Sequence, residues 1–363
     1  MERKKDQVYG QLKRAIMDET LPPGSRLPTE IRLARSLAVG QVTLRSALAR
    51  LEAEGLVERI RSRGTFVTGR TRRRTFLLIQ PDGTETLETP SRYIAAGLEE
   101  EAEKRAVTIE VCPESLFVSF SEEERRAIVR SRSISGVILE TGHRRIPEKL
   151  ASEVKKLALP VVVPHGVSGD GASGFFVLRT DEKQAFGDAY LHLAGHGHRH
   201  IASLFLRMPG ENPGELRGFT PDSLRAFLEK NGLAPSLRSI ALVPNTQEDI
   251  RRQLELWFRS PAPPTAILCH SDRVAMRVYA VLRSLKLRVP EDVSVMGYSN
   301  YPGGQLLTPP LTTIDTRLKE CARLALERLF DAGSWFSSPD AEREAFTPYA
   351  LIERESVSDR RRR

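Results

Sequence analysis

Residues 21–67 read LPPGSRLPTEIRLARSLAVGQVTLRSALARLEAEGLVERIRSRGTFV, and this stretch decides what the first fifth of the chain folds into. Pro22, Pro23 and Gly24 break whatever helix precedes them. Thr29 then stands at an N-cap position, with Glu30 well placed in the first turn of a helix whose apolar positions are Ile31, Leu33, Ala34 and Leu37. Ala38, Val39 and Gly40 make a tight turn. From Gln41 to Glu54 the residues Leu44, Ala47, Leu48 and Leu51 recur at helical spacing, and Gly55 stops that helix. Two short strands, 56–60 and 65–68, flank a tip that carries Arg61, Arg63 and the permissive Gly64. Upstream, Val8, Leu12 and Ile16, with Tyr9 and Ala15, predict a first helix ending near Glu19. The order is helix, helix, turn, helix, wing.

The charge agrees with that layout. The chain has 363 residues with 55 Lys and Arg against 47 Asp and Glu, a net charge of +8. Residues 1–74 hold 17 basic against 8 acidic residues, a balance of +9, so the remaining 289 hold 38 against 39, a balance of −1. A basic module on a neutral body is the footprint of nucleic-acid binding. No run approaches the roughly 18 apolar residues of a membrane helix, and no apolar segment follows the charged residues 1–6. Three scattered cysteines, Cys112, Cys269 and Cys321, fit core positions in a reducing compartment. The expected setting is the cytoplasm, without a membrane partner.

The third helix turns Gln41, Thr43, Arg45, Ser46 and Arg50 away from its core stripe, where they can meet base edges in a major groove. Thr29 is a further contact candidate, and Arg61, Arg63 and Gly64 are placed to reach the backbone or minor groove. The stretch resembles the winged helix of the GntR family of bacterial regulators. The resemblance is carried by Pro28-Thr29-Glu30, Val39, Thr43-Leu44-Arg45, Ala47-Leu48, Leu51, Glu54-Gly55-Leu56 and Gly64-Thr65-Phe66-Val67. Two departures fall in the reading head. Gly40-Gln41 replaces the family's Ser or Thr followed by Arg, and Ile31 replaces an Arg. Gln41 suits adenine where Arg would grip guanine. The resemblance implies a DNA-binding domain over residues 1–69, joined by a basic linker at 70–75 to a body at 76–363.

From Phe76 onward short apolar strands alternate with amphipathic helices. The strands are expected at 76–80, 108–112, 136–139, 160–163, 201–206, 240–243, 266–269 and 293–296; the helices include 93–104, 121–132, 182–194 and 272–285. This alternation predicts an α/β body with parallel sheets covered on both faces, arranged as two lobes with a ligand cleft beyond the strand ends. Gln80, Tyr93, Glu140 and His143 lie at or just past strand ends of the first lobe. The run of His192, His196, His198 and His200 is interrupted by Gly195 and Gly197 and lacks zinc spacing, so it reads as a helix-to-strand turn. Trp257, beside Leu254 and Leu256, reads as core. Residues 360–363, all arginine, read as a frayed tail.

The second half resembles the effector domain of LacI-type repressors, itself similar to periplasmic sugar-binding proteins. The carriers are the His192-x-x-x-His196 turn with Ile201-Ala202, the run 290–298 (PEDVSVMGY), and the run 310–315 (PLTTID). The resemblance implies that Asp272 accepts hydrogen bonds from sugar hydroxyls, with Ser271 where Asn is frequent. Ser299 falls where a second Asp is common, which passes that contact to Asn300. Glu215 replaces a family Arg for which Arg217 is the nearby substitute, and Thr316 matches a polar cleft position. The expectation is a regulator that binds double-stranded operator DNA as a homodimer and is controlled by a small-molecule effector, a sugar by resemblance. It needs no cofactor or metal. The alternatives are a non-sugar ligand, an activator, or an enzyme domain fused to a DNA-binding head. The last of these requires a cofactor lysine setting that the sequence lacks.

Overall fold

The computed structural model describes residues 2–17, 20–60, 63–68, 74–83, 89–167, 170, 174–207, 216–233, 240–338 and 341–361. Glu19, Arg61, Glu215 and residues 70–73 of the expected linker lie outside the described residues. Two compact units are present: residues 1–75 with 106–108, and the rest of the chain.

In the first unit, α1 (Glu2–Met17), α2 (Glu30–Ser36) and α3 (Gln41–Ala53) precede the antiparallel pair β1 (Val57–Ile60) and β2 (Gly64–Val67). The apolar stripes meet in one core. Val8, Leu12 and Ile16 of α1 and Leu33 and Ala34 of α2 close on Leu44, Ala47, Leu48 and Leu51 of α3, with Val57 and Val67 at its edge. Each fully buried leucine there contributes about 1.5–3 kcal/mol. A polar brace fixes α1 to the end of α3: Tyr9 Oη donates to Glu54 Oε1 at 2.5 Å, and Lys13 Nζ donates to Glu54 Oε2 at 3.0 Å. Gly64 is required at the wing. Its φ is +113°, and a Cβ there would sit 2.8 Å from Arg26 Nε.

The second unit is α/β and two-lobed. One sheet orders β13 (Glu344–Thr347), β7 (Phe176–Thr180), β6 (Val161–Val163), β5 (Ile134–Leu139), β3 (Thr75–Gln80) and β4 (Thr108–Pro113). The other orders β14 (Ala350–Ile352), β12 (Thr312–Asp315), β11 (Ser294–Tyr298), β10 (Ala266–Cys269), β8 (Ile201–Arg207) and β9 (Ile240–Pro244). Strands β8 to β12 pair in parallel, and β14 joins β12 antiparallel. Helices cover both faces of the second sheet, burying Trp257 on one side and Tyr190 and Phe186 on the other. The capping box expected from Ser121 and Glu124 opens α6 (Glu122–Ser131).

The chain crosses between the lobes three times. It passes from β7 to α8 (Glu182–Gly195), which packs on the second sheet. It returns from β12 to α13 (Leu318–Phe330), which lies against β5, β6, β7 and α4 (Pro90–Arg105). It crosses again from β13 to β14. Thr180 and Thr347, neighbours across two of these crossings, bring their hydroxyls to 3.3 Å, and Thr316 is buried in the third. The frayed tail is corrected as far as Arg361: Ser356 is fully buried with its hydroxyl on Val295 O, and Arg360 N donates to His196 O at 2.8 Å. Residues 362–363 lie outside the described residues. Among the described residues, no helix is long and apolar enough to cross a membrane.

Candidate functional site

Two surfaces collect the residues that carry chemistry. In the first unit, α3 exposes Gln41, Arg45 and Ser46, while Thr43 is half-buried. Arg45 is steered by Glu30, whose Oε2 accepts from its Nε at 2.7 Å. Thr29 caps α2 by position without a side-chain bond, which leaves its hydroxyl outward. Arg63 and Gly64 are exposed on the wing. Arg50 is exposed as well; its guanidinium lies 3.9 Å from the Tyr9 ring centre and donates to Asp6 at 3.1 Å, a surface tie between α3 and α1. Two residues were missed. Val42 is 73% exposed on α3, an apolar group suited to a thymine methyl, and Arg26 packs on the wing at Gly64. Only their exposure and packing, not their spacing, mark them.

In the second unit a cavity of about 240 Å³ opens between the lobes. Four of the residues singled out in the sequence line it: His143 from the first lobe, and Arg217, Ser271 and Ser299 from the second. His165, His270, Arg144, Arg273, Asp82 and Tyr301 join them. His270 follows β10 directly and His165 follows β6 after Pro164; both lie just past a strand end, as His143 does, so the signal was present in the sequence.

Arg217 organises the floor. It forms an ion pair with Glu182, its Nη2 lies 2.9 Å from His270 Nε2, and its guanidinium faces the Tyr298 ring at 5.0 Å. His143 Nε2 lies 3.0 Å from Glu182 Oε1 and 2.5 Å from Arg217 Nη1, while its ring stacks on His165 at 4.5 Å. Burial alone would raise the Glu182 carboxyl; the Arg217 guanidinium and His143 instead hold it well below its usual range. Burial pushes His165 and His270 well below the ordinary imidazole value, with His143 and Arg217 respectively adding to it. Both rings are therefore neutral near pH 7; His270 Nε2 accepts from Arg217, while His270 Nδ1 and His165 Nδ1 are left without a hydrogen-bond partner. A second contact crosses the cleft: Tyr93 of α4 stacks on Tyr301, centroids 5.4 Å apart.

The remaining candidates are placed elsewhere. Asp272, the residue expected to meet a ligand first, is fully buried at the start of α11 (Asp272–Ser284). Its Oδ2 accepts from Tyr301 N and its Oδ1 from Thr313 Oγ1, both at 2.6 Å, so it fastens the fold beneath the cavity. Asn300 is held between Asp315 and Arg354. Thr316 is buried in a crossing segment. Glu140 is buried below the cavity, accepting from Gly142 N at 2.7 Å, and burial raises its carboxyl. Gln80 is half-buried at the end of β3, outside the lining, and Tyr93 reaches the cavity only through Tyr301.

A winged helix with an outward reading face, and a two-lobed body with a polar cavity between its lobes, define a DNA-binding regulator with an effector domain. Residues 4–67 match the gntR family of bacterial regulatory proteins, and residues 190–357 match the periplasmic binding protein-like domain. The chain is 27% identical over 356 residues to the arabinose metabolism transcriptional repressor of Geobacillus stearothermophilus, covering 88% of this chain and 90% of that one. It is 32% identical over 186 residues to a probable opine utilization operon repressor of Rhizobium rhizogenes, covering 49% of this chain and 91% of that one. The crystal structure of a LacI family transcriptional regulator from Arthrobacter sp. FB24, in complex with lactose, shares the fold with a TM-score of 0.62 at 24% identity, over 79% of this chain and 100% of that one. The chain belongs to the GntR family of bacterial regulators, with a periplasmic binding protein-like domain as its second part. It is a transcriptional repressor of the GntR/LacI type and not an enzyme.

Proposed function

We propose that the protein represses transcription by binding a two-fold operator as a homodimer, and that a sugar of monosaccharide size in the interlobe cavity releases it. The observation that carries this reading is the cavity itself. Its volume of about 240 Å³ is below the roughly 300–1,000 Å³ of drug-sized pockets, and hydroxyl-matching groups from both lobes line it. The name of the relative from Geobacillus stearothermophilus supports a sugar. A ligand touching His143 and His165 on one side and His270 and Ser271 on the other favours one angle between lobes joined by three crossing segments.

Control then appears as a coupling between cavity and operator of about 1–3 kcal/mol, and it must be reciprocal. Effector affinity, measured by calorimetry with and without saturating operator, is expected to fall on DNA by the same factor by which effector weakens the operator. Equal affinities would end the proposal, since a ligand that binds both states equally shifts nothing. Tighter binding on DNA would make the ligand a corepressor.

The reading head has its own test. Selection from random DNA is expected to return a two-fold repeat for the wild type, because paired heads read paired half-sites. Gln41→Arg should change the preferred base at one position per half-site by about 1–3 kcal/mol of discrimination. An unchanged preference would remove Gln41 from base reading; a single unrepeated site would remove the dimer.

A further inference from the structure

Among the described residues, the charges that line the cavity are accounted for with one exception. Arg217 is paired with Glu182 and Arg144 with Glu114. Asp82 accepts from Ser115 at both oxygens, from Oγ at 2.6 Å and from N at 3.1 Å. Asp272, next in sequence to the exception, is bonded to Tyr301 and Thr313. Arg273 lines the cavity from the first turn of α11 and has no hydrogen-bond or ion-pair partner among the described residues.

A second observation lies beside it. Ser271 is the N-cap of α11 and is only 9% exposed, yet its hydroxyl accepts no capping bond from the helix. An N-cap serine ordinarily satisfies one of the free N–H groups of the first turn. Here a nearly buried hydroxyl and a guanidinium unpaired among the described residues border the same space. His165, 2% exposed and also in the lining, has an Nδ1 without a hydrogen-bond partner.

We propose that the effector carries an oxyanion, a phosphate or a carboxylate, which seats on Arg273, Ser271 and the first turn of α11 while the rest of the ligand occupies the histidine-lined space. This rests on the reading of the cavity as the effector site. The physical reason is desolvation. A neutral polyol filling the cavity would strip water from Arg273 and return hydrogen bonds that carry no compensating negative charge. An oxyanion returns charge-assisted bonds to the guanidinium and hydroxyl, and the helix N-terminus favours negative charge. The ligand class is thus narrowed from sugars in general to acidic sugars, either sugar phosphates or sugar acids.

The test uses the full-length protein at constant ionic strength, with glucose, glucose 6-phosphate, gluconate and inorganic phosphate as probes in thermal-shift and calorimetric titrations. Wild type is expected to bind at least one of the three anions, and Arg273→Gln to weaken that binding roughly 10- to 100-fold. A response to glucose 6-phosphate and inorganic phosphate assigns the anion as phosphate; a response to gluconate alone assigns it as carboxylate. If no anion acts on wild type more than on Arg273→Gln, the proposal is overturned. If glucose binds both proteins equally and the anions add nothing, the oxyanion fails while the cavity stands as the effector site. Thr89→Trp, which fills the cavity from the first lobe, separates the two readings. Binding that survives in Thr89→Trp places the ligand outside the cavity and overturns both.

Discussion

Replacing Arg217 with alanine is expected to destabilise the full-length protein by about 3 kcal/mol at pH 7, because removing one member of a buried ion pair leaves the other uncompensated. The Arg217 side chain is 9% exposed and that of Glu182 17%, and His143 and His270 converge on the same guanidinium. The pH dependence fixes the cause. With its folded value held below the ordinary 4.5, Glu182 contributes stability that is present above about pH 4.5 and is lost as pH falls through the folded value. Without Arg217, the carboxyl loses one of the two groups that lower it while burial still raises it. The deficit of the variant is therefore largest at neutral pH and shrinks in acid. Urea unfolding at pH 7 and pH 4.5 measures both, and Arg217→Ala with Glu182→Gln should recover much of the loss. A single variant within 0.5 kcal/mol of wild type at pH 7, on the order of an ordinary surface change, would show that the pair does not stabilise the fold.

Asp272→Ala is expected to cost about 2–4 kcal/mol, through two buried donors left without acceptors and the space left beneath the cavity. Tyr301 N and Thr313 Oγ1 are those donors. The packing is close: a Cβ on Gly297 would fall 2.1 Å from Asp272 Oδ1, so no side chain other than hydrogen fits there. Burial raises the Asp272 carboxyl to about 6 against the hydrogen bonds from Thr313 and Tyr301, which lower it. A carboxyl with a raised folded value binds more protons folded than unfolded. Its contribution is thus complete below about pH 4 and is lost as pH rises through 6. Asp272→Asn keeps one acceptor and cannot titrate. The stability advantage of wild type over Asp272→Asn should narrow by up to about 3 kcal/mol between pH 4 and pH 7, two pH units of differential protonation. Denaturation at a series of pH values reads this directly; a constant gap would place Asp272 in an ordinary solvated environment.

The winged helix was legible in the chain because its information is local. The stripe Leu44, Ala47, Leu48 and Leu51, the stop at Gly55 and the box of Ser121 with Glu124 each depend on residues a turn apart, and each appears where its spacing puts it. Eight strands of the body, β3 to β6 and β8 to β11, were legible for the same reason, as short apolar runs. Strands β7 and β12 to β14 were not. They are short and of mixed composition, and two of them pair with strands far away in sequence, as Glu344 does with Val177. Those are the strands that flank the lobe crossings.

The candidate site divides along the same line. The sequence by itself determined the three helices and wing of the head, eight strands of the body, which end of those strands faces the cleft, and that the basic head stands apart from a neutral body. All of this follows from periodicity, capping and charge between near neighbours. Only the tertiary structure decided that Asp272 turns inward while Ser271 and Arg273 on either side of it border the cavity. The same holds for Arg217 meeting Glu182 and two histidines, and for Arg50 folding back on Tyr9. The direction of a side chain at a helix start is set by what packs against it, here Gly297, Thr313 and Tyr301 from β11, β12 and the loop between them, and that packing exists only after the lobes have formed.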